Sequence, residues 1–482
     1  MSEAQVKTDN RSSSYSEAFK QFICADWAPY PSDLPQPLPS VKWAAQRRAK
    51  LSALFPGQCL VIPAGGLKPR NNDCDYRFRP DSAFAHLTGL GTDREPDAVL
   101  VMVPTGVSGH RAVLYFHPRV DRTNNEFYAD SRYGEMWVGQ RMSLAEMQSL
   151  CGVECVDDAG LADALATAGP TCLMRDTDPS VTTIVDKARG VDLDADDQLR
   201  VACSELRLFK DDFELAELRK ACDLTALAFE AVVKQLGQAA EVGRGERWVE
   251  GVFGLHARHT GNAVGYDTIA AAGDHANTLH WIRNDGDIRP GELMLMDAGI
   301  EVDSLYTADI TRTIPINGHF SAPQRQVYDA VRVAQQAGFD AARPGAMFMD
   351  VHRAAVTSLA HTFESWGILP VPATEALADD GGQFRRWMVH NTSHMLGLDV
   401  HDCAHALREN YRDSVLKPGM VLTVEPGAYF KSTDLAVPPE LRGIGVRIED
   451  DIVITEDGYE ILSDKLPREA DEVEAWMTGL LA

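Results

Sequence analysis

A chain of 482 residues with 45 % hydrophobic and 24 % charged residues has the composition of an ordinary soluble protein, and its length exceeds one compact core, so two domains are expected. The formal net charge of −25, from 71 acids against 46 Lys and Arg, disfavours phosphate backbones and anionic lipid, which sets nucleic acid aside as a partner. No apolar stretch approaches the roughly 20 residues needed to cross a bilayer, so no membrane is expected either.

Residues 1–40 are polar and then proline-rich (WAPYPSDLPQPLPS), which reads as a flexible arm free to drape over a neighbour. Residues 41–195 read as an α/β domain: a helical stretch through Leu54 is followed by the apolar runs QCLVIPAG, AVLVMVP, RAVLYFHP and TCLMRD, with helical segments such as SLAEMQSLC between them. The acidic stretch at 196–212 reads as a connection. The helix signal DFELAELRKACDLTALAFEAVVKQL then opens an α+β catalytic domain over 213–470, and 471–482 reads as a C-terminal tail. Nine cysteines, odd in number and without a CxxC pair, fit reduced thiols. Together with a start that lacks a basic and then apolar leader, they make the cytoplasm the expected location.

Five polar side chains stand inside strand-like runs of the C-terminal half: Asp297 in ELMLMDAGI, Asp309 in YTADITRTIPI, His394 in VHNTSHMLGLDVHD, Glu425 in MVLTVEPGAYF and Glu449 in GVRIEDDIVIT. An ionised carboxylate in an apolar environment is costly unless paired or metal-bound, and several converging carboxylates repel unless a cation lies between them. Each acid alone reads equally as a turn residue in water, and the strand around Glu449 reads equally as an edge with a solvated charged face. Period-two alternation places Arg447 on the side of Glu449, where a bidentate bond to another ligand is expected. His390 and His394 have helical spacing, with His401 seven residues beyond, yet Gly397 suits a strand or loop as well, and a lone histidine such as His280 is more often a satisfied core residue. Four carboxylates and one imidazole form a hard donor set that favours Mn2+, Co2+ or Fe2+, with Zn2+ able to bind. Two bridging carboxylates would let these five hold two ions about 3.5–4 Å apart, with a shared water as nucleophile, the plan of a dinuclear metallohydrolase.

The stretches MDAG, ADITRT, SHMLGLDVHD, LTVEPGAY and RGIGVRIEDDIVIT, in that order, resemble the pita-bread metallopeptidases, specifically the aminopeptidase P group. YRFRPDSAFAHLTGL and EPDAVLVMVP resemble the amino-terminal domain that this group shares with prolidase and creatinase. The resemblance implies an α+β pita-bread catalytic domain preceded by an α/β domain, and removal of the first residue from peptides with proline second. It implies that Asp297 holds one metal and His394 the other, that Asp309 and Glu449 bridge them, and that Glu425 binds the ion on the His394 side and acts as general base. His390 and His401 would contact substrate and steady the tetrahedral intermediate, His280 would line the pocket, Arg447 would stand beside the last ligand, Arg412 would close the prolyl side, and Tyr429 would lie near the site. Two departures stand out: eleven residues separate Asp297 from Asp309, one more than in many relatives, which places a longer tip at Asp303-Ser304, and LPVPATEALADDGGQFRRW reads as an insertion. Prolidase, which takes only Xaa-Pro dipeptides, is the nearest rival, and a non-catalytic peptide- or protein-binding module is the alternative of another class. The proline-rich arm is compatible with a homo-oligomer, a dimer or tetramer.

Overall fold

The computed structural model describes residues 15–72, 74–91, 95–106 and 109–481. Its first sheet has five strands in the order Glu154–Asp157, His110–Phe116, Val99–Pro104, Cys59–Pro63 and Thr171–Leu173, the outer pairs parallel and the inner ones antiparallel. The strand CLVIP is apolar throughout because both faces are covered. Leu60 and Ile62 join the core under the helices Val41–Leu54 and Leu193–Leu206, while Cys59 and Val61 join the one under Leu161–Ala166 and Pro179–Arg189.

Residues 1–14 of the expected arm lie outside the described residues. From Tyr15 onward the arm packs on its own chain. Tyr15 and Phe19 pack against Tyr128, Trp27 packs against Phe127, and the Tyr30 ring is flanked by the guanidinium groups of Arg119 and Arg122 at 4.0 and 4.1 Å. The stretch read as a connection is helical to Leu206. Asp196 on that helix accepts from the Leu173 backbone, Arg175 and Arg189, which ties it to the first sheet. The next helix, Asp212–Lys234, opens with a capping box between Asp211 and Glu214. Arg47 from the amino-terminal helix reaches both of those acids, and His86 lies 3.4 Å from Glu214.

In the C-terminal half, the strand Leu293–Ala298 pairs antiparallel with Ile310–Pro315 and with Ile269–Ala272. Val421–Val424 pairs with Asp450–Ile454, and Gly427–Phe430 with Ile444–Arg447. The helices Asp212–Lys234, Gly245–Thr260, Ala322–Ala341 and Phe348–Ser365 cover these strands, so the strand ends carrying the acids meet in the interior. The connection from Asp297 to Asp309 turns at Asp303-Ser304, where sequence placed the longer tip. Gly299 on this connection is so tightly packed that a Cβ would stand 1.7 Å from the Ala308 carbonyl oxygen, so only glycine lets the two runs close. The tail expected at 471–482 is instead a helix, Ala470–Leu481, with Val473 and Met477 in the main core. Its stripe Val473, Trp476, Met477, Leu480 has helical spacing, which the run of acids around it obscured. Among the described residues, no helix is long and apolar enough to cross a membrane.

Candidate metal centre

The strand Leu293–Ala298 delivers Asp297, and Asp309 immediately precedes the strand Ile310–Pro315. Glu425 follows Val421–Val424 at the turn Pro426-Gly427, and Glu449 stands in the break between Ile444–Arg447 and Asp450–Ile454. His394 comes from an irregular segment rather than a helix, its N–H donating to Thr423 Oγ1 at 3.2 Å. All five line one cavity of about 480 Å³ together with His280, His390, His401 and Arg447. Donor atoms of Asp309, His394 and Glu449 lie within 4.8 Å of one another. His394 Nε2 is 3.2 Å from Asp309 and 3.7 Å from Glu425. The solvated alternatives for these acids do not hold: Asp297 is 8 %, Asp309 5 % and Glu449 1 % exposed.

This crowding dominates the electrostatics. Burial, then the charges of Asp309, Glu425 and Asp297, push Glu449 well above the glutamate range. Burial and the same neighbourhood push Glu425 up to about 8. Asp297 is raised by burial despite Arg447. Burial opposes the charge on His394, but Asp309 outweighs it and lifts the imidazole to about 9. The Tyr266 hydroxyl lies 2.6 Å from Asp297 and 2.5 Å from Asp309, yet its single proton serves one carboxylate at a time. A buried set that the protein itself leaves under-neutralised, made of hard oxygen donors and one imidazole, fits divalent cations.

Around the five lies a shell that fixes them. Arg447 does not hold Asp297 through the bidentate bond expected from sequence. Its three nitrogens diverge, Nη2 to Asp297 at 2.6 Å, Nη1 to the Tyr429 hydroxyl at 3.0 Å and Nε to Thr311 at 3.2 Å. Three separate acceptors thus use up its nitrogens, and Thr311 Oγ1, which accepts from Nε, donates to Glu449 at 2.7 Å. Because a guanidinium only donates, Tyr429 must accept from Arg447 and donate to His390 Nε2, 2.7 Å away. His390 therefore carries its proton on Nδ1, which donates to the Asn391 carbonyl at 2.7 Å, and burial holds the ring neutral, down to about 3. The His401 ring stands edge-on to that of His394 at 4.5 Å. Tyr429 thus acts from behind His390 and does not line the cavity. Arg412 does not line it either: it sits half-buried in the turn after Tyr411, where its charge acts on His352.

Three contributors were missed from sequence: Tyr266, Thr311 and Glu246. The fully buried Glu246 accepts from the backbone N–H groups of Ala272 and Gly286, from His275 and from Trp281, all at 2.7–2.9 Å. These groups bracket the loop that carries His280 into the cavity wall. Glu246→Ala would leave several buried donors unpartnered, so a loss of about 3 kcal/mol in urea denaturation and a raised KM are expected.

Residues 216–456 match the model of metallopeptidase family M24, and residues 44–169 match the aminopeptidase P N-terminal domain. Xaa-Pro aminopeptidase 1 of Streptomyces coelicolor is 52 % identical over 447 residues, spanning 92 % of this chain and 89 % of that protein. The Xaa-Pro aminopeptidase of Escherichia coli is 33 % identical over 450 residues, spanning 90 % of this chain and 97 % of its own. Among solved structures, zinc-substituted Escherichia coli aminopeptidase P in complex with product aligns with a TM-score of 0.80 at 31 % identity, covering 92 % of this chain and 99 % of that one. Proline aminopeptidase P II from Yersinia pestis aligns at 0.79 with 31 % identity, covering 91 % and 99 %. With a donor set suited to divalent cations and an aminopeptidase P N-terminal domain ahead of it, the chain belongs to metallopeptidase family M24 and is a metalloaminopeptidase.

Proposed function

We propose that this protein is an Xaa-Pro aminopeptidase: it hydrolyses the bond between the first residue of a peptide and a proline in second position. The observation that carries the reading is the convergence of Asp297, Asp309, His394, Glu425 and Glu449 on one cavity, joined to full-length relatives of that activity. Those five would hold two divalent ions, with Mn2+ favoured by the oxygen-rich donor set and Co2+, Fe2+ or Zn2+ as alternatives. When bound, the ions supply Lewis acidity toward the scissile carbonyl and an acidified water.

The remaining steps belong to the side chains. An Xaa-Pro amide has no N–H and a fixed φ, so a site that reads extended backbone cannot grip it. Glu425 takes the proton of the attacking water and returns it to the prolyl nitrogen, which cannot leave as an anion. Asp297, clamped by Arg447, keeps a fixed orientation, and Tyr266 supplies a hydroxyl beside both aspartates. His401 and His280, which line the cavity, are assigned to the substrate, and His390 to the carbonyl side. Arg412 is assigned no contact with the reacting groups.

The discriminating experiment compares an Xaa-Pro-Ala tripeptide with Gly-Pro. Cleavage of the tripeptide supports the reading, and cleavage of the dipeptide alone would make the protein a prolidase. His401→Ala is expected to lower kcat by about 100-fold, as for loss of one oxyanion donor, with metal content unchanged. Loss of the metal would move His401 into the ligand set. We further propose a cytoplasmic protein, in line with nine cysteines that form no disulfide. A dimer or tetramer is also proposed, in line with Phe22, Trp137 and Val138, all exposed on the amino-terminal part.

A further inference from the structure

Beside the metal centre lies a second cavity of about 320 Å³, lined by Leu279, Trp387, Val389, Tyr429 and Lys431 and by the Arg386–Asp434 pair. Leu279 lines both cavities, and Tyr429 stands between them with its hydroxyl on His390. We propose that this cavity is the subsite for the residue after proline, and that Lys431 pairs there with a substrate carboxylate. The inference rests on the Xaa-Pro aminopeptidase reading above.

Three observations support it. Lys431 directly follows the strand Gly427–Phe430, in which Phe430 packs into the core against Phe363 and Trp387, so alternation puts Tyr429 and Lys431 on the other side. Two strand residues advance by roughly 6.6 Å, and one substrate residue beyond proline spans roughly 3.5 Å. A carboxylate one residue past the proline is therefore within reach of a long, flexible lysine.

Next, the acids around Lys431 are already committed. Asp434 accepts from both Arg386 Nε and Nη2, from the Trp387 indole and from the Ala436 backbone. Asp274 accepts from the Ser432 backbone and hydroxyl and from Asn277. Among the described residues, no carboxylate oxygen forms an ion pair with the exposed Lys431 ammonium, whose charge acts on Asp274 only from a distance, whereas the other cation of the cavity, Arg386, is neutralised by Asp434. Finally, Leu279, Trp387 and Val389 give the cavity apolar or aromatic walls, and its other polar lining, Asn277 and Thr433, is uncharged, which suits a peptide side chain beside a single cation. The carboxylate has two sources, the C-terminus of a tripeptide or an acidic side chain in third position.

The experiment measures kcat/KM of the holoenzyme and of Lys431→Gln for Xaa-Pro-Ala, Xaa-Pro-Ala-amide and Xaa-Pro-Glu-amide. In the wild type the free acid should exceed its amide by about fivefold, the upper range for an exposed ion pair, mainly through KM. In Lys431→Gln that ratio should fall toward one, while thermal melting stays in place. A preference for Xaa-Pro-Glu-amide over the free acid, lost in the variant, assigns the charge to a side chain instead of the terminus. Equal ratios in wild type and variant overturn the subsite. A wild type that cleaves none of the three overturns the activity on which it rests.

Discussion

Glu449→Gln is expected to abolish useful turnover, by about 100-fold or more for loss of a group acting directly on the reacting centre, and yet to raise the melting temperature of the metal-free protein. Both effects have one cause. Glu449 is 1 % exposed and crowded by Asp309, Glu425 and Asp297, which with burial lift it far above the ordinary glutamate range, while Glu425 reaches about 8. An acid whose folded pKa is raised weakens the fold at high pH, and the weakness is relieved as pH falls from the folded value toward the unfolded one. Chelated wild-type protein should therefore gain stability between pH 8 and about 4.5, the window set by Glu425 and its unfolded value. The variant should start higher and gain less. Divalent metal should reverse the order, stabilising wild type strongly and Glu449→Gln weakly. Melts with and without chelator across that pH range check the expectation. A variant that melts lower than wild type in chelator would show that the carboxylates are satisfied without a cation.

The second large effect is on folding. Arg312 is 1 % exposed and gives Nε to the Pro467 carbonyl, Nη1 to those of Thr311 and Glu449, and Nη2 to Asp450 at 2.6 Å and the Leu466 carbonyl. Arg312→Met leaves Asp450, 0 % exposed, with Ser463 and Gln335 as partners and strands the carbonyls of Pro467, Glu449 and Leu466, that of Thr311 keeping the Glu449 N–H. Removing one member of such a buried pair costs about 3–5 kcal/mol. Because the Glu449 backbone carbonyl is one of the stranded acceptors, metal affinity should fall along with the urea midpoint. Arg312→Met with Asp450→Asn should recover part of the loss, since no uncompensated charge then remains. A single variant within 1 kcal/mol of wild type in urea would contradict the role given to this pair.

The contrast between these two acids shows what the sequence could and could not reveal. Asp297, Asp309, Glu425 and Glu449 were legible because each interrupts an apolar run, and an isolated acid there needs a reason. The alternation drawn through VRIEDDIVI was not followed, since the ladder breaks at Ile448-Glu449 and re-forms at Asp450. The break separates a carboxylate facing the cavity from two, Asp450 and Asp451, that serve Arg312 and the Asp309 N–H. Nothing periodic distinguishes a ligand from its supports. No sequence signal sets apart Tyr266, the β-branched Thr311 in the strand Ile310–Pro315 or Glu246, an acid in the first turn of the helix Gly245–Thr260. Their roles come from chain segments far apart in sequence, as when Glu246 closes the loop between Ala272 and Gly286. The packing of the arm from Tyr15 onward was hidden for a related reason. Proline-rich sequence signals an extended chain, but the docking of Trp27 and Tyr30 depends on Phe127, Arg119 and Arg122, about 90 to 100 residues away.

The central claim, that five side chains converge in order to hold two divalent cations, is tested most directly by elemental analysis of the purified protein alongside turnover of an Xaa-Pro-Ala peptide, before and after chelation. Two ions per chain are expected in the active protein, with activity lost on stripping and restored by manganese. Full turnover by protein carrying no divalent ion would contradict it.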